Sequence, residues 1–196
     1  MKKIFLGMLL FFCSCVCFAA KKSSPIAKVS TINFYGVDYT KCRAAGLEGT
    51  PEQISKALTN INDLFVTEAK KYDVAKMTKK KVGVVDTKVA AAMCENMNAD
   101  SLLIQSTGNK LSNEVVESTI KNLNLKETKG TGLLLIGEYL NKSKSEGSYR
   151  VVFFDIESRN IIAQWEATGK AGGFGLRNFW AKSVYLVMDA IKSYKE

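Results

Sequence analysis

The chain has 196 residues, 46% hydrophobic and 24% charged, with a formal net charge of +9. That balance is ordinary for a globular protein, and the length suits one domain once a leader is removed. Histidine is absent, which excludes Ser–His–Asp and Cys–His nucleophiles and removes the commonest general base and metal ligand.

Residues 1–20 read as a signal peptide. Lys2 and Lys3 form a positive start, residues 4–18 are uncharged, and Cys17-Phe18-Ala19 resembles a small-x-small cleavage site. Fifteen or so apolar residues are too few to span a bilayer comfortably. A lipid anchor on Cys15 or Cys17 is the alternative, and either route places the product at the periplasm or the outer-membrane periphery. Lys2 and Lys3 are the only charges in the leader, so the remaining domain, residues 21–196, stays basic. A basic exported domain can meet anionic lipid headgroups or acidic glycans, and nucleic acid is not an expected partner outside the cytoplasm. Its lysine runs, Lys21-Lys22, Lys70-Lys71 and Lys79-Lys80-Lys81, read as solvated surface.

A strand is predicted over 29–35, rich in β-branched and aromatic residues and ended by Gly36. Residues 37–49 read as a loop containing Cys42. Thr50-Pro51-Glu52-Gln53 carries a capping box with proline at the first helical position. Ile54, Ala57, Leu58, Ile61, Leu64, Phe65 and Ala69 then recur at helical spacing, predicting one long helix. A short strand over 82–85, a helix over 87–97 and a buried strand over 100–105 follow. Ser112 caps a helix bearing Val115, Val116, Ile120 and Leu123.

After Gly130 three apolar runs, 133–136, 151–154 and 161–165, are separated by short polar turns. Short gaps require antiparallel neighbours, so these form a meander. Their continuous apolar character predicts cover on both faces. Leu176, Phe179, Trp180, Val184, Val187, Met188 and Ile191 define a C-terminal helix. The fold class is α/β, with helices packed on a mixed sheet.

Gly169, Gly172, Gly173 and Gly175 form a junction between the last strand and that helix. Unpaired amides at a helix start favour anions, and Arg177 can add a charge-assisted contact. Neither P-loop nor dinucleotide spacing is present. The glycines therefore read first as a sharp turn with close helix–sheet approach. Trp165, Phe174, Phe179, Trp180 and Tyr185 crowd the same stretch. Trp180 falls on the helix's apolar stripe, whereas Phe174 and Arg177 are not required by packing. Gly172, Gly173, Phe174 and Arg177 are the candidate interaction surface.

Cys42 and Cys94 are the two cysteines beyond the leader. They are either a disulfide, permitted in an oxidising compartment, or two buried thiols. Zinc would need two carboxylates besides, and no spacing supports it. A carboxylate-dependent hydrolase would draw on Asp38, Asp86, Glu138, Asp155 and Glu157, none of which stands out as a pair. No cofactor motif and no catalytic residue is recognisable.

The segments GTGLLLIGEYLNKS and YRVVFFDIESRNIIAQWEATGKAGGFGLRNFWAKSVY resemble exported Bacteroidetes proteins of unknown function that share the FFDI strand and the GKAGGFG-RN-WA junction. The layout is also similar to envelope domains of the curli-secretion lipoprotein, the lipoprotein activators of penicillin-binding proteins and the Tol N-terminal domain. Val151 to Ile156 with Ile161-Ile162 match the outline of their strand–turn–strand pattern, with Ser158-Arg159-Asn160 in place of a Thr-Gly turn. The first resemblance brings no established activity; the second implies a non-enzymatic assembly or protein-binding role and transfers no catalytic residue. The expectation is an envelope domain that binds a protein partner; an anionic-ligand binder and a carboxylate hydrolase are the alternatives.

Overall fold

The computed structural model describes residues 25–95, 97–104 and 108–194. The signal peptide expected over 1–20, with Cys15 and Cys17, lies outside the described residues. Among the described residues are six strands, β1 (Thr31–Asp38), β2 (Arg43–Ala45), β3 (Lys81–Val85), β4 (Thr131–Asn141), β5 (Glu146–Asp155) and β6 (Ile161–Lys170). The helices are α1 (Pro51–Thr59), α2 (Leu64–Thr67), α3 (Val74–Thr78), α4 (Lys88–Glu95), α5 (Asn113–Lys121) and α6 (Leu176–Ala190).

The strands form one mixed sheet in the order β3-β1-β4-β5-β6, with β2 pairing β4 off this path. β1 is parallel to β3 and β4, and β2 is parallel to β4. β4, β5 and β6 are the expected antiparallel meander. Alternation along the inner strands feeds two cores. Leu133, Leu135, Val151 and Phe153 pack with α1, α2, α3 and α6, while Leu134, Ile136, Val152 and Phe154 pack under α5. A strand covered on both faces has no polar side to show, which is why these runs are continuous rather than alternating. No helix among the described residues is long and apolar enough to cross a membrane.

Four local expectations are corrected. β1 does not stop at Gly36 but runs to Asp38, because Gly36, at φ +95°, makes a bulge where the register with β4 shifts between Phe34 and Val37. Residues 43–45, read as loop, become β2 because the eleven-residue β4 extends past β1 and needs a partner there. The long helix from Thr50 is broken: α1 ends at Thr59, and turns carry the same apolar face into α2. The capping box itself forms, with Thr50 Oγ1 accepting from Gln53 N–H at 3.3 Å and Gln53 Oε1 accepting from Thr50 N–H at 3.0 Å. The strand expected over 100–105 is instead a short 3-10 turn, Ala99–Ser101, followed by a single bridge from Leu103 to Ala44; Gln105 lies outside the described residues.

Candidate functional site

The glycine junction is a packing corner with a free tip. Gly169 pairs with Gly147 across β5 and β6, and a Cβ on it would lie 2.1 Å from the Ser183 carbonyl oxygen. The α6 backbone therefore rests directly on the strand, an approach only glycine allows. Ser183 Oγ donates to the Trp180 carbonyl at 2.7 Å and lies 2.6 Å from Tyr149 Oη, which ties the same turn of α6 to β5. Trp180 is fully buried and meets the Phe179 ring edge-on at 5.1 Å.

Beyond Gly169 the loop is fastened on both sides. Ala171 N–H donates to Ser145 O at 2.8 Å, and Gly172 N–H donates to Phe179 O at 2.9 Å. Phe179 N–H in turn donates to Gly175 O at 2.9 Å. Gly173 and Gly175 both take positive φ, 110° and 79°, and the chain between them projects outward. Phe174 stands there 96% exposed. Burying a phenylalanine is worth about 1.5–3 kcal/mol, and this fold leaves that stabilisation unused.

The loop separates two surface grooves. One, of about 210 Å³, contains Lys142, Glu48, Leu176 and Phe179, with the Lys142 ammonium 3.6 Å from the Phe179 ring centroid. The other, of about 570 Å³, lies between α6 and the turn joining α2 to α3. Phe174, Leu186, Tyr185 and Tyr72 give it an apolar and aromatic floor, and Lys71 and Lys182 stand on its rim. The Tyr72 and Tyr185 rings meet edge-on at 5.8 Å, which fixes the floor. Glu68 is the acid among its lining residues and sits 3.8 Å from Lys71. Burial pushes the Tyr72 hydroxyl up, while the charges of Lys71 and Arg177 pull it back down. Arg177 is half-buried, and its Nε donates to Asn178 Oδ1 at 3.2 Å.

Thus Gly172, Gly173 and Phe174 line one groove, and Arg177 is not among its lining residues. The aromatic crowd is divided. Tyr185 joins Phe174, Phe179 faces the smaller groove, and Trp165 stacks at 3.8 Å on Tyr194 instead. Lys71, Tyr72 and Lys182 were not singled out by the sequence. The Lys70-Lys71 run was the signal available, but helical periodicity placed it at the end of one continuous helix rather than on a turn packed against α6.

Cys42 and Cys94 are both buried free thiols. Cys94 Sγ accepts from Tyr39 N–H at 3.2 Å, and Cys42 Sγ lies 3.5 Å from Arg43 O. Burial pushes the Cys94 thiol up to about 12 and Cys42 further.

The five candidate carboxylates do not meet. Asp38 is buried and accepts from Thr40 N–H at 2.8 Å, and burial raises its carboxyl. Asp86 is 3.8 Å from Lys126. Asp155 closes its own turn by accepting from Ser158 N–H and Oγ at 2.8 Å, which lowers its carboxyl, and the turn also includes Glu157. Glu138 pairs with Arg150 at 2.9 Å under Leu111, whose N–H also points to it at 3.3 Å. None of the five lines a described groove. Among the described residues no group of three cysteines or acids could hold a metal ion. No family model matches the chain, and no curated protein or solved structure matches it.

Proposed function

We propose that this chain is an exported cell-envelope domain that binds a protein partner through the 172–175 loop, with Phe174 as the anchor and Arg177 beside it. One observation carries the reading. A nearly fully exposed phenylalanine stands at the tip of a loop whose two ends are hydrogen-bonded to the body of the fold. Large aromatic side chains held on a fixed support bind at low entropic cost and are enriched at the centres of interfaces. The similarity of Val151 to Ile156 with Ile161-Ile162 to the strand–turn–strand outline of envelope domains supports the same role, and the leader read over 1–20 supports export.

The test is a photo-crosslinking residue placed at Phe174 in the protein expressed in its native host. A discrete protein adduct at position 174, absent when the same group replaces Glu117 on exposed α5, is the expected result. Retention of every co-purifying partner by the Phe174→Ala, Arg177→Ala double variant would overturn it.

A further inference from the structure

The larger groove specifies the partner's chemistry. We infer that it receives an acidic segment of the partner that carries a large apolar side chain. This rests on the partner-binding reading above and goes further by naming what is bound. The apolar side chain would lie among Phe174, Leu186 and Tyr185, with its carboxylates toward Lys71 and Lys182.

Charge complementarity carries the argument. The groove offers aromatic floor and cationic rim together, with Glu68 as the single acidic side chain lining it. Lys71 and Lys182 are both exposed, and the Lys182 side chain runs within 3.4 Å of where a Cβ on Gly172 would be, which puts its ammonium beside the loop. Two lysines about an apolar slot favour an acidic segment and disfavour a basic one, because like-charge juxtaposition suppresses the wrong partner.

The concave shape separates this occupant from a lipid surface. A bilayer engages a convex patch of several exposed apolar residues. Phe174 is 96% exposed and Leu186 only 37%, whereas Tyr72 and Tyr185 lie recessed on the floor, within reach of an inserted side chain and not of a flat interface.

The experiment pans a random-peptide phage library on the purified protein and measures the enriched peptides by fluorescence anisotropy. Enriched sequences are expected to pair one or two large apolar residues with several aspartates or glutamates. Their binding should weaken about tenfold or more in the Lys71→Glu, Lys182→Glu double variant and with rising salt. Phe174→Ala should weaken it independently. Enrichment of neutral or basic peptides, no enrichment, or acidic peptides indifferent to the lysine reversals would each overturn the inference. So would Phe174-dependent binding to phosphatidylglycerol vesicles without peptide binding. A protein adduct from the Phe174 photo-crosslink alongside any of these failures removes only the acidic chemistry. Failure of both removes the partner-binding reading as well.

Discussion

The side-chain amide of Asn62 completes the hydrogen bonding of Val37, accepting from its N–H at 2.8 Å and donating to its carbonyl at 3.0 Å. Asn62 thereby acts as a one-residue strand partner at the bulge of β1. Its Oδ1 occupies the place a Cβ on Gly36 would need, 2.4 Å away. Asn62→Ala removes both bonds, leaving the Val37 carbonyl only the Cys94 thiol at 3.9 Å, and is expected to cost about 1–3 kcal/mol. Urea denaturation of the variant against the parent chain measures it, and a loss under about 0.5 kcal/mol would contradict the assignment.

The glycines of the junction should separate by position. Gly169→Ala drives a methyl group into the Ser183 carbonyl, which is helix backbone and cannot swing aside. A cost of about 3 kcal/mol is expected. Gly172→Ala meets only the flexible Lys182 side chain at 3.4 Å and should stay within about 0.5 kcal/mol. Thermal melts of the two variants distinguish a packing glycine from a permissive one.

Phe174→Ala should leave the melting midpoint unchanged, because the ring contributes almost no buried area. Partner capture is expected to fall with it. A variant that loses binding and stability together would show that the ring is part of the core.

Arg150 and Glu138 form a buried pair on the α5 side of the sheet. Glu138 follows Leu134 and Ile136 on the α5 face of β4, and Arg150 also donates to Leu111 O at 3.0 Å. Arg150 Nε has no hydrogen-bond partner among the described residues. Arg150→Met would strand the Glu138 carboxylate and is expected to cost about 3–5 kcal/mol. Adding Glu138→Leu should recover most of that loss, since an apolar pair avoids the desolvation of both charges. Chemical denaturation of the single and double variants provides the comparison.

The thiols give a pH prediction. Cys94 has an ordinary value of 9.0 and is pushed up to about 12 by burial, and Cys42 moves the same way. Above pH 9 the unfolded chain releases these protons while the native chain keeps them. Stability therefore falls as pH rises from about 9 toward 12. Buried Tyr35, Tyr39 and Tyr149 are raised for the same reason and steepen the loss above pH 10. Denaturation midpoints across that range test the slope. At pH 8, with the chain prepared from Lys21 onward, an aromatic disulfide reagent should find two thiols, Cys42 and Cys94, in denaturant and react far more slowly with the native protein; no thiol without prior reduction would mean a disulfide.

What was legible in the sequence is what short-range patterns encode. The capping box at Thr50, the Ser112 cap, the meander and the α6 stripe all emerge as expected, because each depends on residues within one or two turns of one another. Phe174 was legible for a related reason: flanking glycines and its place off the stripe left it without local packing. Residues 43–45 lack β-branched and aromatic residues and became a strand only because β4 ran past β1. Periodicity could not show the helix break after Thr59, since the apolar stripe continues across it.

By itself the sequence determined the fold class, the sharp turn at the glycine junction and the exclusion of histidine chemistry. Only the tertiary structure decided that Lys71 and Tyr72 face Lys182 and Tyr185. These side chains come from elements more than a hundred residues apart. Their meeting depends on α3 packing on α6, and no local preference for turn or helix carries that information.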